Sequence, residues 1–251
     1  MKLLKNIKNN KNKIVLLLLS ILFLSCNNYL DVDTDTDNPT VVSLSLLLTN
    51  SQVDLNKVTD FQDYSASVLQ VYTHQMTVRE EQDQYGAKVN NVSVLNDWNN
   101  IYLSLTNIKS IIDQGTASGD LVYVGIAQMQ KAYLMSVAVD LWGDVPYTEA
   151  TRLKEGIQAP KFDNQKEIYE SVFELIETAK TNIASDAGTV KPGNDDLFYG
   201  GDTEKWIKFA NTFKLKLYNQ VRLTPDFDTA GFNALVAENN FFFRHPFSPF
   251  F

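Results

Sequence analysis

From residue 60 onward, apolar residues recur at intervals of three and four, the spacing that puts them on one face of a helix. Phe61, Tyr64, Val68, Tyr72 and Met76 predict a helix near 60–80, and Trp98, Ile101, Leu105, Ile108 and Ile112 one near 96–113. Val122, Ile126, Met129, Tyr133, Val137 and Leu141 predict one near 121–142. Two more follow near 165–184 (Ile168, Val172, Ile176, Ala179, Ile183) and 203–223 (Trp206, Ala210, Phe213, Leu217, Val221). The breaks agree. Gly115 to Asp120 reads as a turn, Gly143 and Pro146 stop the third stripe, and Asp202 with Glu204 suits an N-cap and the helix dipole. Residues 146–164 and 185–202 read as longer loops. Short linkers imply antiparallel helix pairs, so the fold class is all-α with a repeat-like stack.

The N-terminus follows a different rule. Five lysines and no acid precede the apolar run Ile14–Leu24, which is too short to span a bilayer with ease. Ser25 and Cys26 follow, and Cys26 is the only cysteine in the chain. This is the pattern of a bacterial lipoprotein signal, with residues 1–25 removed and Cys26 acylated. One chain binds a membrane only marginally, so further acylation makes the anchor stable. Residues 26–59 read as an acidic tether and N-terminal extended segment. Its Asp31, Asp33, Asp35 and Asp37 do not form an EF-hand loop, because Thr36 and Val42 stand where that loop needs Gly and Glu.

Charge narrows the function. The chain carries −8 overall although five of its 22 basic residues lie in the first 25, so the body is more acidic still. Such a body repels phosphate backbones, which excludes nucleic acid as a partner. No metal spacing, nucleophile elbow or phosphate loop occurs, and no cofactor is expected. Glu80, Glu81 and Asp83 read as a solvated face rather than paired glycosidase acids. The chain is therefore expected not to be an enzyme. Tyr85, Trp98 and Asn99 are the candidates for contact with a sugar, which aromatic rings bind under its C–H faces and amides at its rim. Periodicity favours the core over a sugar contact for Trp98 and Tyr102, which leaves Tyr85, in a polar loop, the freer of the rings.

The most distinctive stretch is Val139-Asp140-Leu141-Trp142-Gly143-Asp144-Val145-Pro146-Tyr147-Thr148-Glu149-Ala150. It reads as a helix end and a tight turn, with Asp144 bonding backbone N–H groups, Pro146 fixing the exit and Trp142 packing on the neighbouring pair.

That stretch, the start Cys26–Thr40 (CNNYLDVDTDTDNPT) and Gly200–Arg222 (GGDTEKWIKFANTFKLKLYNQVR) together resemble the SusD/RagB family over about residues 26–240. The resemblance implies an α-superhelix of tetratricopeptide-like pairs over 60–240, anchored in the outer membrane of Bacteroidetes and exposed at the cell surface. It implies capture of an oligosaccharide, or in some members a peptide. It also implies delivery to a TonB-dependent transporter of the SusC type, by lid closure and not by chemistry. In such a protein Asp140, Trp142, Gly143, Asp144, Pro146 and Tyr147 are a structural motif. A helical-repeat interaction scaffold without a small-molecule site is the alternative. Members are about twice this length, and six of the 15 phenylalanines fall in residues 241–251. That anomalous tail reads as a truncation or frameshift near residue 240.

Overall fold

The computed structural model describes residues 42–59, 69–71, 73–75 and 91–242. The signal and Cys26, the acidic run, most of the 60–80 stripe, Tyr85 and the tail from residue 243 lie outside the described residues. Among the described residues six α-helices follow in order: α1 (Leu44–Thr59), α2 (Asn91–Ser118), α3 (Leu121–Trp142), α4 (Gln165–Ile183), α5 (Thr203–Val221) and α6 (Thr229–Glu238). A 3-10 turn, Leu153–Glu155, lies between α3 and α4. Among the described residues there is no strand, only an antiparallel bridge between Val145 and Asp163. The fold is all-α, as the periodicity predicts.

α3 is the centre. It packs between α2 and α4 and also meets α1 and α5. It carries two charged residues, Lys131 and Asp140, and is buried on most sides, with Tyr123, Leu134, Met135 and Ala138 inside alongside Val122, Ile126 and Met129. The one-sided helix expected here is thus an enclosed one, the pattern of a helix walled in by neighbours. Its approach to α4 depends on Gly125, where a Cβ would stand 2.8 Å from both the Ala179 carbonyl oxygen and the Ile183 nitrogen.

α4 is the amphipathic opposite. Its buried residues are Ile168, Val172, Ile176, Ala179 and Ile183, the five read from the spacing. Each large aliphatic one contributes roughly 1.5–3 kcal/mol by leaving water. Its N-cap is Asn164, whose side chain accepts from the Lys166 N–H. Asp202 caps α5 by accepting from Lys205, as expected, and Asp228 caps α6 by accepting from Gly231.

Three expectations are corrected. Residues 44–59, taken as part of an extended segment, form α1, because Leu47, Leu48, Leu55 and Val58 are buried. The turn at 115–120 shrinks to Gly119-Asp120, since α2 runs on to Ser118. The tail begins inside the fold: Phe241 is buried beside Tyr218 and Leu235, and the Phe242 ring stacks 5.7 Å from Tyr199.

Two buried carboxylates hold the 185–202 loop. Asp120 accepts from the Ser118 hydroxyl at 2.6 Å and from the Thr189 and Val190 N–H groups, tying the 185–202 loop to the start of α3. The Ser118 bond, then that from Val190, holds its carboxyl below the ordinary range against the opposing effect of burial. Asp196 accepts from Gln52, Trp206, Phe198 and Gly201, joining α1 to α5.

Candidate functional site

The 139–150 motif builds a corner. Gly143 ends α3 with φ of 74°, its N–H donating to the Val139 carbonyl, a conformation that a Cβ would strain. Asp144 accepts from the Gln165 N–H at 2.8 Å, so the backbone it bonds is that of α4, not of its own turn. The next residues are gripped by Asp163. Its carboxylate accepts from the Tyr147 and Thr148 N–H groups at 3.0 and 2.7 Å and from the Thr148 hydroxyl. Pro146 is buried, and its carbonyl accepts from the Tyr102 hydroxyl at 2.9 Å. Asp140 accepts a short hydrogen bond from Tyr169 of α4.

Burial pushes the Asp163 carboxyl up, but the bonds from Thr148, Tyr147 and Lys161 outweigh it and hold the group below the usual carboxylate range. With Asp120 lowered as well, both groups add stability that is complete above the ordinary Asp value of about 3.9 and is lost as pH falls through their lower folded values. The stability measured by urea melts is therefore expected to fall steeply below about pH 4. Asp163→Asn should flatten that fall; an unchanged slope would show that Asp163 does not carry it.

Around this corner stand four rings. Trp98 of α2 lies 5.2 Å from Trp142, edge to face, and 4.9 Å from Tyr102. Phe162 stacks nearly parallel to Trp98, with centroids 6.2 Å apart and planes 24° apart. Phe162 is 64% exposed, whereas Trp98 and Trp142 are half-buried. The structure thus brings the sugar candidate Trp98 together with the motif residue Trp142. Trp98 is neither free nor core: it is the inner wall of an exposed aromatic step. Asn99 is exposed one residue on. Phe162 has no signal in the sequence beyond being an aromatic residue in a polar loop. The Val145–Asp163 bridge, with its Asp163 N–H to Val145 carbonyl bond of 3.0 Å, delivers it here. Phe162 presents an exposed apolar ring backed by Trp98, the kind of surface that the C–H face of a sugar ring covers.

A second concave surface lies between α4 and α5, a cleft of about 700 Å³. Tyr169, Phe173 and Tyr218 supply its rings, Lys166 pairs with Asp226 at 2.7 Å, and Lys214 pairs with Glu177 at 2.6 Å. Among the described residues no group of three His, Cys, Asp or Glu could hold a metal ion, and no helix is long and apolar enough to cross a membrane.

Stacked helix pairs presenting an aromatic step and a wide cleft define a binding scaffold. The chain belongs to the SusD-like family described as "Starch-binding associating with outer membrane", which matches residues 36–239. It is thus a member of a family of outer-membrane binding proteins rather than of enzymes. Among solved structures it is similar to a SusD/RagB family protein from Bacteroides thetaiotaomicron, with 24% identity and a TM-score of 0.67 over 80% of this chain and 43% of that one. A chitin-binding protein matches with 26% identity and a TM-score of 0.65, over 80% and 44%. A SusD homologue from Bacteroides fragilis matches with 23% identity and a TM-score of 0.61, over 80% and 42%. The chain spans less than half the length of each of these three. No curated protein matches it in sequence.

Proposed function

We propose that this chain is the helical scaffold of a surface glycan-binding lipoprotein, anchored through Cys26. In this reading it captures an oligosaccharide of the starch or chitin kind and passes it to a TonB-dependent outer-membrane transporter of the SusC type. The observation that carries the proposal is the exposed Phe162–Trp98–Trp142 step on a SusD-like fold. Asn99, the exposed residue after Trp98 on α2, is the amide candidate for its hydroxyl groups. The name of the chitin-binding structural relative supports a sugar as the ligand class.

The test is calorimetric titration of the full chain, in outer-membrane vesicles, with malto- and chito-oligosaccharides. Saturable binding with a change in tryptophan fluorescence is expected. Phe162→Ala removes an exposed ring, so the fold should persist while affinity falls about tenfold, as for losing one good stacking contact worth ~1.4 kcal/mol. Wild-type affinity in that variant would remove the step from the site. Cys26→Ala should be absent from the vesicles, and its retention there would rule out the anchor. The α4–α5 cleft favours a second reading, a protein-interaction scaffold. A well-folded chain that captures the transporter but binds no oligosaccharide would establish it.

A further inference from the structure

Lys131 occupies an unusual place. It is one of two charged residues on the central helix, and it is half-buried. Its ammonium lies 4.8 Å from the centroid of the Tyr147 ring. Among the described residues it has no carboxylate partner and no hydrogen-bond acceptor. Its neighbours differ: Lys109 is paired with Asp113 at 2.8 Å, and Arg152 donates from Nε to Glu155 at 2.7 Å. An ammonium carries three N–H donors, and a ring face satisfies the charge only in part.

Beside Lys131 is a pocket of about 240 Å³ between α2, α3 and the loop that follows the motif. Lys109, Lys131 and Arg152 line it with Asp113 and Glu155, three cations against two acids in a chain whose overall charge is −8. At about 30 Å³ per water, the space takes a small anion with several waters. The bonds to Glu155 use Nε and Nη2 of Arg152, leaving Nη1 for another acceptor. Thr151, also in the lining, has φ of 62°, a left-handed conformation that costs a β-branched residue and that clusters at ligand sites. Burial, and then repulsion from Lys109, pushes the Lys131 ammonium below its ordinary value.

We propose that this pocket is an oxyanion site, in which Lys131, Lys109 and Arg152 receive a carboxylate, sulfate or phosphate group. Each cation forms a charge-assisted hydrogen bond with it, and the guanidinium adds directional bonding. The shared chemistry has two sources, a free inorganic anion or the acidic group of a charged sugar. The site does not depend on the neutral-glycan reading of the aromatic step, since inorganic phosphate tests it without any sugar.

The experiment titrates the full chain, with 13C-labelled lysine side chains, against phosphate, free galacturonate and an oligogalacturonide. Chloride at matched ionic strength is the control. The expected result is a saturable shift of the Lys131 resonance and a rise in its titration midpoint. Lys131→Met, which keeps the stem over Tyr147, should lower phosphate affinity at least tenfold. If that variant unfolds, Arg152→Gln should weaken binding in its place. Tighter binding of the oligogalacturonide than of galacturonate or phosphate identifies an acidic glycan as the source, and comparable binding of all three identifies a free oxyanion. A response equal to that of chloride, or phosphate affinity unchanged in both variants, overturns the proposal. Binding of neutral oligosaccharides at Phe162 should be untouched in either variant, so failure here and failure of the glycan reading are separable.

Discussion

Asp196→Ala is expected to cost about 3–5 kcal/mol of folding stability, the scale for breaking a buried charged network. Asp196 is 2% exposed and accepts four hydrogen bonds. Two of its donors, the Gln52 amide and the Trp206 indole N–H, belong to buried side chains that lose this partner. Each orphaned donor costs about 1–3 kcal/mol, since water does not reach it. The measurement is urea unfolding of the variant beside the wild type. A loss below about 1 kcal/mol, the net worth of an ordinary hydrogen bond, would show that water replaces the carboxylate. Asp196→Asn keeps one acceptor oxygen and turns an NH2 toward donors, so an intermediate loss is expected.

Gly125→Ala should destabilise although alanine favours a helix over glycine by about 1 kcal/mol. The new methyl would meet main-chain atoms of α4 at 2.8 Å, and a main chain cannot swing aside as a side-chain tip can. Overpacking costs about 1–3 kcal/mol and sometimes more, and contact with main chain puts this site near about 3, so the net loss after the ~1 kcal/mol propensity gain is about 2 kcal/mol. For a domain of this size that lowers the melting midpoint by roughly 4–8 °C. An unchanged or higher midpoint would mean that α4 shifts outward without penalty. Gly125→Val should cost more in either case.

How much of this was legible in the sequence varies by element. α4 was read to the residue because its outer face meets water, so polarity and burial alternate with the helical period. α3 was placed correctly but its surroundings were not, since a helix enclosed by four others has no polar face to set a phase. α1 was missed because its buried set includes Ser51 and Gln52, polar residues whose partners are Leu48 within α1 and the distant residues 196 and 197. The aromatic step was half legible. Trp98 and Trp142 each stood out, but their meeting depends on a helix crossing, and Phe162 arrives through one backbone bridge. Lys131 was hidden for the reason α3 was: a polar residue on a presumed outer face asks for no explanation until that face proves to be covered.

The link between α1 and the 185–202 loop has a consequence for the order in which the chain can assemble. Gln52 finds its two partners, the Asp196 carboxylate and the Leu197 N–H, only across 144 and 145 residues of sequence. During synthesis at roughly 5–20 residues per second, Gln52 emerges about 7–29 s before they do. Through that interval the apolar face of α1 can rest on α2, but a buried amide stays unanswered. The first of the described helices is therefore among the last to be fastened, and the clasp that fastens it also carries the Trp206 end of α5.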